Sequence, residues 1–250
     1  MTRTTLLRFL NALYKNCEEY KIDYRIKLNL PSYLHQVLIG LLLSDGSLEK
    51  TSPTSAARLS VMFGSLHISY LLHLYNLFEP YTNTNSGIRF IDVFNKKTKV
   101  SYTQVGFKTV SLPILLLYHK MFYIAKSKSY IKIVPSNIED LMTPVVLAHL
   151  IMGDGNLKPK DNIIRIYTNS FSKEDVERLG IAITKKLGII VKVVSDRNNQ
   201  YMITISRNQL ELVRSIILPY MHPSMVYKLG LEAKTIKGQY FKLEDHLNDI

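Results

Sequence analysis

Residues Leu38–Leu48 read LIGLLLSDGSL, and residues Leu147–Leu157 read LAHLIMGDGNL. Leu38, Leu41, Asp45, Gly46 and Leu48 of the first stretch return as Leu147, Leu150, Asp154, Gly155 and Leu157 of the second. Each run is largely apolar on every side, so as a helix it must be buried. Each closes on Asp-Gly, which places Gly46 and Gly155 where a left-handed helix stop is expected. A carboxylate at that end faces the negative pole of the helix dipole. One such Asp-Gly is an ordinary turn dipeptide. Two aligned copies are an internal repeat with architectural meaning, and their repeated carboxylate calls for a cation nearby.

Outward from the two runs, hydrophobic spacing alternates between helical and extended. Residues 4–17 carry a helical apolar stripe, and Pro31-Ser32 opens the first run with Ser32 as its expected N-cap. The first half continues with a short strand from Ser47, a turn over 51–55, a strand over 58–65, a helix over 67–78, strands over 88–94 and 100–109, and a helix over 112–122. Residues 125–136, AKSKSYIKIVPS, read as a solvated connector. The second half repeats the order. It has a strand over 162–169, a helix capped by Ser172 and stopped by Gly188, strands over 189–194 and 200–206, and a helix over 208–220. The expected organisation is 1–124, a linker at 125–136, and 137–250. The expected fold is α+β: two pseudo-symmetric helix-strand-strand-helix-strand-strand-helix halves, each forming an antiparallel sheet saddle with helices on one face.

The composition narrows the function. The 250 residues carry 32 Lys and Arg against 20 Asp and Glu, a net charge of +12. Such a balance points to an anionic partner, most often nucleic acid. One cysteine, Cys17, excludes an internal disulfide and zinc-finger spacing. No apolar run reaches the length of a membrane span. The opening MTRTTLLRFLNALYKN fits a plain helix and a transit peptide equally well.

The doubled motif resembles that of the LAGLIDADG homing endonucleases in their single-chain, two-motif form, in a layout closest to the omega-intron type. The nine-residue motif falls on Leu38–Gly46 and Leu147–Gly155, with its last Asp at Asp45 and Asp154. The family's earlier Asp is replaced by Leu43 and Met152, and the small residue of the helix interface is Gly40 in one copy but His149 in the other. Gly40 is expected to leave room for a packed, buried His149. Ser44 and Gly153 are small, as close helix approach requires. The resemblance implies a monomeric, Mg²⁺-dependent endonuclease that cuts both strands of a long DNA site. Mn²⁺ is expected to substitute, and Ca²⁺ to occupy the site without cleavage. Asp45 and Asp154 are the implied metal ligands, with the main-chain carbonyls of Ser44 and Gly153 as further ligands. YIKIVP and MVYKLG match the family's basic positions and imply catalytic roles for Lys132 and Lys228. An organellar, mitochondrial location and intron encoding follow from the same resemblance. The rival readings are an intron maturase binding RNA, and a DNA-binding protein that has lost cleavage.

The strands are expected to supply the DNA surface. Alternation puts Tyr102, Gln104 and Lys108 on one face of their strand, and Arg165, Tyr167 and Asn169 together on another. Lys192, Thr204 and Ser206 extend the polar face of the second half, and Arg89 and Lys158 join the two surfaces. Arg, Lys, Gln and Asn are the side chains that read base edges. Lys96, Lys97, Lys99, Arg197 and Asn198, at hairpin tips, suit phosphate contacts.

Overall fold

In the computed structural model, residues 30–82, 87–96, 98–127 and 129–232 are described. The stretch 4–17, Cys17 and Lys97 lie outside the described residues. By their contacts the described residues divide into two compact units, one from Ser47 to Lys120, the other from Pro31 to Gly46 and again from Met121 onward.

The first unit is a four-stranded antiparallel sheet with one helix on it. Its strands are β1 (Gly46–Lys50), β2 (Ala57–Gly64), β3 (Arg89–Asn95) and β4 (Val100–Lys108), in the order β1-β2-β4-β3. Alternation sets the two faces. Leu48, Ala57, Leu59, Val61, Phe63, Val105 and Phe107 are buried. Phe107 packs edge-on against Tyr75 at 5.6 Å between ring centres. Tyr75 belongs to a helix here labelled α2 (Ile68–Phe78), whose Tyr70, Leu71, Leu74 and Phe78 are buried. The opposite face of the sheet carries Ser47, Glu49, Arg58, Lys108 and Gln104.

The second unit opens with the first motif helix, α1 (Ser32–Leu42). Pro31, in an extended conformation, holds the cap position, and its carbonyl accepts the first helical N–H, from His35, at 2.8 Å. Ser32 is therefore the first helical residue and makes no cap hydrogen bond, contrary to the expectation, because a cap must sit outside helical geometry. After α3 (Ile114–Phe122), β5 (Tyr123–Lys126) and β6 (Ser129–Lys132) form a hairpin that pairs Tyr123 with Lys132. The stretch read as a connector thus holds a largely exposed ribbon. α4 (Ile138–Leu141) leads into the second motif helix, α5 (Pro144–Asp154). There Thr143 is the cap, its hydroxyl accepting from the Val146 N–H, and Pro144 occupies the first turn, where a missing N–H is harmless.

The second sheet, β7 (Gly155–Lys158), β8 (Ile163–Tyr167), β9 (Val191–Ser195) and β10 (Tyr201–Ile205), has the order β7-β8-β10-β9, the same arrangement as the first. α6 (Lys173–Leu187) packs on one face of it. Ser172 accepts from the Asp175 N–H at α6's start, and Gly188, at φ 69°, supplies a left-handed stop. α7 (Leu210–Ile217) and a 3₁₀ segment, Pro223–Leu229, follow. The α+β architecture and the repeated order of elements are as the sequence indicates.

The motif glycines are not left-handed stops. Among described glycines only Gly188 and Gly230 have positive φ. Gly46 and Gly155 each begin a strand, and they are glycine for space. A Cβ on Gly46 would lie 2.9 Å from the Leu41 carbonyl oxygen, and one on Gly155 2.5 Å from that of Ile151.

Candidate active site

α1 and α5 lie side by side, and glycine sets how closely. A Cβ on Gly40 would sit 2.5 Å from the His149 Cβ and 2.8 Å from the Val146 carbonyl oxygen, so no side chain fits there. A Cβ on Gly153 would sit 2.5 Å from Ser44 Oγ and 3.0 Å from Asp45 Oδ2. Gly40 does make room for His149, which is buried. At the other end of the pair the Thr143 hydroxyl donates to Gln36 Oε1 at 2.7 Å. The core of both helices is apolar: Val37, Leu38, Leu41 and Leu42 in one, Val146, Leu147, Leu150 and Ile151 in the other, all without solvent exposure.

This close approach brings the two carboxylates together. Asp154 is the last residue of α5, and the Asp45 carboxylate lies against the backbone of Gly153. Burial, with the neighbouring Asp45 charge second, pushes the Asp154 carboxyl up to about 7, against the pull of Lys132 and Lys228. Burial also lowers both lysines to about 8, an effect the two carboxylates partly offset. The site is thus crowded with charge, a setting that a bound cation relieves.

Both lysines reach the ends of the motif helices. Lys132 Nζ donates to the carbonyls of Ser44 at 2.9 Å and Gly46 at 2.8 Å. Lys228 Nζ donates to those of Met152 and Gly153, each at 2.6 Å. The last carbonyls of a helix have no partner within it and carry its negative pole. Lys228 therefore caps the second motif helix, and Lys132 holds the turn that follows the first. The carbonyls of Ser44 and Gly153, named above as further ligands, accept from these lysines. A carbonyl has two lone pairs, so each keeps the capacity for a second partner. Among the described residues no group of three or more His, Cys, Asp or Glu converges. Two carboxylates suit a hard divalent cation that takes oxygen ligands and completes its shell with water.

The predicted DNA residues fall on the open faces of the sheets, with exceptions. In the second sheet Asn156, Arg165, Thr204 and Lys192 stand opposite one another in a row across four strands. Tyr167 stands opposite Met202. Asn169 and Ser206 lie just beyond β8 and β10, Asn169 in a turn and Ser206 before a 3₁₀ segment, because those strands end at Tyr167 and Ile205. Lys158 pairs with Asp161. Arg197 and Asn198 form the β9–β10 turn, with Asn198 at φ 58°. In the first sheet Arg89, Lys96, Lys99 and Tyr102 are exposed. Lys108 is tied to Glu49, which also binds Arg58 at 3.0 Å. No local sequence signal joins Glu49 and Arg58 to Lys108. Only the pairing of strands reveals that alternation places them beside Lys108.

The DNA endonuclease family model named for LAGLIDADG matches residues 35–212. This chain belongs to the LAGLIDADG DNA endonuclease family. It is 28% identical to DNA endonuclease I-ChuI of Chlamydomonas applanata, over 81% of this chain and 97% of that protein. It is also 28% identical to the cytochrome b mRNA maturase bI2 of Saccharomyces cerevisiae, over 78% of this chain but only 46% of that longer protein. Among solved structures it resembles the homing endonuclease I-WcaI bound to its DNA recognition sequence, with a TM-score of 0.72 and 22% identity over 87% of this chain and 94% of that one.

Proposed function

We propose that this chain is a site-specific double-strand DNA endonuclease that works as a monomer with Mg²⁺. The observation that carries this reading is the pair of motif helices, side by side, with Asp45 in the turn after one and Asp154 ending the other, and a lysine bound to the backbone at each. Asp45 and Asp154 would hold divalent metal, with carbonyls of the same turns close by. Such a cation, when bound, lowers the pKa of water and stabilises charge on a phosphate oxygen.

The chain's own groups do the rest. The apolar helix pair forms a rigid base for the carboxylates, which lie at its open end. Gly40 and Gly153 fix their separation. Lys132 and Lys228 hold the motif ends in place and put positive charge where negative charge builds on the phosphate. The open sheet faces, with Arg165, Lys192 and Thr204 on one and Tyr102, Gln104 and Arg89 on the other, would read the target. The surplus of cations supplies salt-dependent grip on phosphates. An organellar, mitochondrial location rests on the cytochrome b mRNA maturase among the relatives.

The test is cleavage selection from a randomised duplex library with Mg²⁺, repeated with Asp45→Asn and Asp154→Asn. Each amide keeps the shape but loses the charge. Both variants are expected to bind the selected duplex in Ca²⁺ and to leave it uncut in Mg²⁺. Full double-strand cutting by either would remove the metal assignment. The similarity to a maturase favours RNA binding as a second reading. Affinity for a folded intron RNA above that for the selected duplex, at matched salt, would favour it over the first.

A further inference from the structure

The two lysines are held from behind in the same way. β6 ends at Lys132, and the chain runs on through Val134. Arg178 of α6 donates from Nη1 to the Val134 carbonyl at 2.6 Å and pairs with Asp175 at 2.7 Å. The 3₁₀ segment carrying Lys228 ends at Leu229. Arg214 of α7 donates to the Leu229 carbonyl from Nη2 at 2.6 Å and from Nε at 3.0 Å, and pairs with Glu211 at 2.6 Å. In sequence these are DVER and ELVR, an acid three residues before an arginine on each helix.

Val134 and Leu229 have no solvent exposure, so their carbonyls need internal partners, and each finds one in a guanidinium. The surroundings of Leu229 are shaped for it. Gly230 turns at φ 71°, and a Cβ there would lie 3.1 Å from Arg214 Nη2. The Gly230 and Leu231 amides close the carbonyls of Tyr227 and Val226, which leaves Leu229's to the arginine.

We infer that Arg178 and Arg214 are positioning residues for cleavage, each fixing the backbone that aims one lysine at one motif helix. This rests on the reading of Lys132 and Lys228 as groups of the active site. A lysine has four rotatable bonds, and its useful position depends on where its backbone stops. Reactions tolerate little error at this point, and displacements of about 1 Å can cost up to roughly a hundredfold in rate.

The experiment is single-turnover cleavage by saturating full-length enzyme on a duplex labelled at both ends, so that each DNA strand is followed separately. Lys132→Met and Lys228→Met first identify which strand depends on which lysine. Arg178→Gln is expected to slow the Lys132-dependent strand about tenfold or more, and Arg214→Gln the Lys228-dependent strand by the same order. The opposite strand and the duplex affinity in Ca²⁺ are expected to stay within about twofold, a scatter consistent with a fully folded enzyme. Adding either Arg→Gln to its Lys→Met partner is expected to cost nothing further. Arg178→Lys and Arg214→Lys, which keep a cationic donor, are expected to lose less on the same strand, and they serve in place of a Gln variant that fails to fold. Equal loss on both strands, or additive loss in the double variants, would overturn the inference. If the Lys→Met variants slow neither strand, the lysine reading itself falls. If they do and the arginine variants do not, only the clamps fall.

Discussion

The two copies of the motif differ where they touch. Gly40 and His149 hold the same place in their copies, as do Ser44 and Gly153. The contacts pair like with like: Gly40 lies against His149, and Gly153 against Ser44. In each pair one member is glycine, and the glycine changes sides between them. A close helix crossing needs one small residue at each contact, and the duplicated motif supplies it from α1 at one level and from α5 at the next. Each copy is therefore irregular alone, and the two are complementary together.

The sharpest break of that complementarity is Gly40→Ala. Its new Cβ would meet a Cβ and a main-chain oxygen, neither of which swings aside. The expected cost is about 3 kcal/mol, at the upper end of ordinary overpacking. His149→Ala is not expected to rescue it, because the clashing atom is His149's own Cβ. Gly153→Ala meets mainly Ser44 Oγ and Cβ, so its expected cost is nearer 2 kcal/mol and Ser44→Gly is expected to recover most of it. Urea unfolding of the four variants checks this. Rescue of Gly40→Ala by His149→Ala would mean that the helices are further apart than a 2.5 Å Cβ–Cβ clash requires.

A second difference separates the lysines. Lys132 is partly buried at the end of a hairpin strand, with hydrogen bonds of 2.9 and 2.8 Å, while Lys228 is buried in a 3₁₀ turn with two of 2.6 Å. Lys132→Met and Lys228→Met are both expected to slow cleavage at saturation more than they weaken binding, since their charge matters most as the transition state forms. The Lys228 variant is expected to show the larger loss and to accumulate nicked duplex. End-labelled single-turnover assays check it. Unchanged rates for both would take the lysines off the catalytic list and leave Asp45 and Asp154 standing.

These contrasts were only partly legible in the sequence. The order of elements and the sheet faces followed from periodicity, because burial on one face enforces it. The carboxylate positions followed from the repeat. Gly46 and Gly155 were misread because glycine serves both left-handed turns and tight backbone approach, and sequence alone does not separate the two. Ser32 looked like a cap, yet the extended Pro31 before it took that place. The connector hid a hairpin because its lysines and serines are as common in exposed strands as in loops. Arg178, Arg214 and Glu49 went unread because their roles depend on carbonyls and strand neighbours far away in sequence.

The smallest expected effect concerns the open sheet faces. In the second sheet Arg165 and Lys192 share a row with Asn156 and Thr204, which contains no acid. In the first sheet Glu49 holds both Lys108 and Arg58. Burial alone would raise the Glu49 carboxyl, but hydrogen bonds and charge from Lys108 and Arg58 outweigh it, so the group lies below the usual range. A depressed carboxyl contributes above that range and loses its contribution as pH falls through it, so the cluster is intact at neutral pH. Being partly exposed, it adds little to stability. Its effect should appear in binding, as two cations diverted from phosphates. Glu49→Gln is expected to steepen the log–log dependence of duplex affinity on KCl, each newly recruited phosphate adding about 0.9 to the slope. Affinity for unrelated duplexes should rise with it, since phosphate contacts carry no sequence information. Arg165→Gln should do the reverse, flattening the slope by about the same amount. If Glu49→Gln leaves the slope unchanged while Arg165→Gln lowers it, then Glu49 merely braces the first sheet, and the difference between the two open faces has no consequence for DNA.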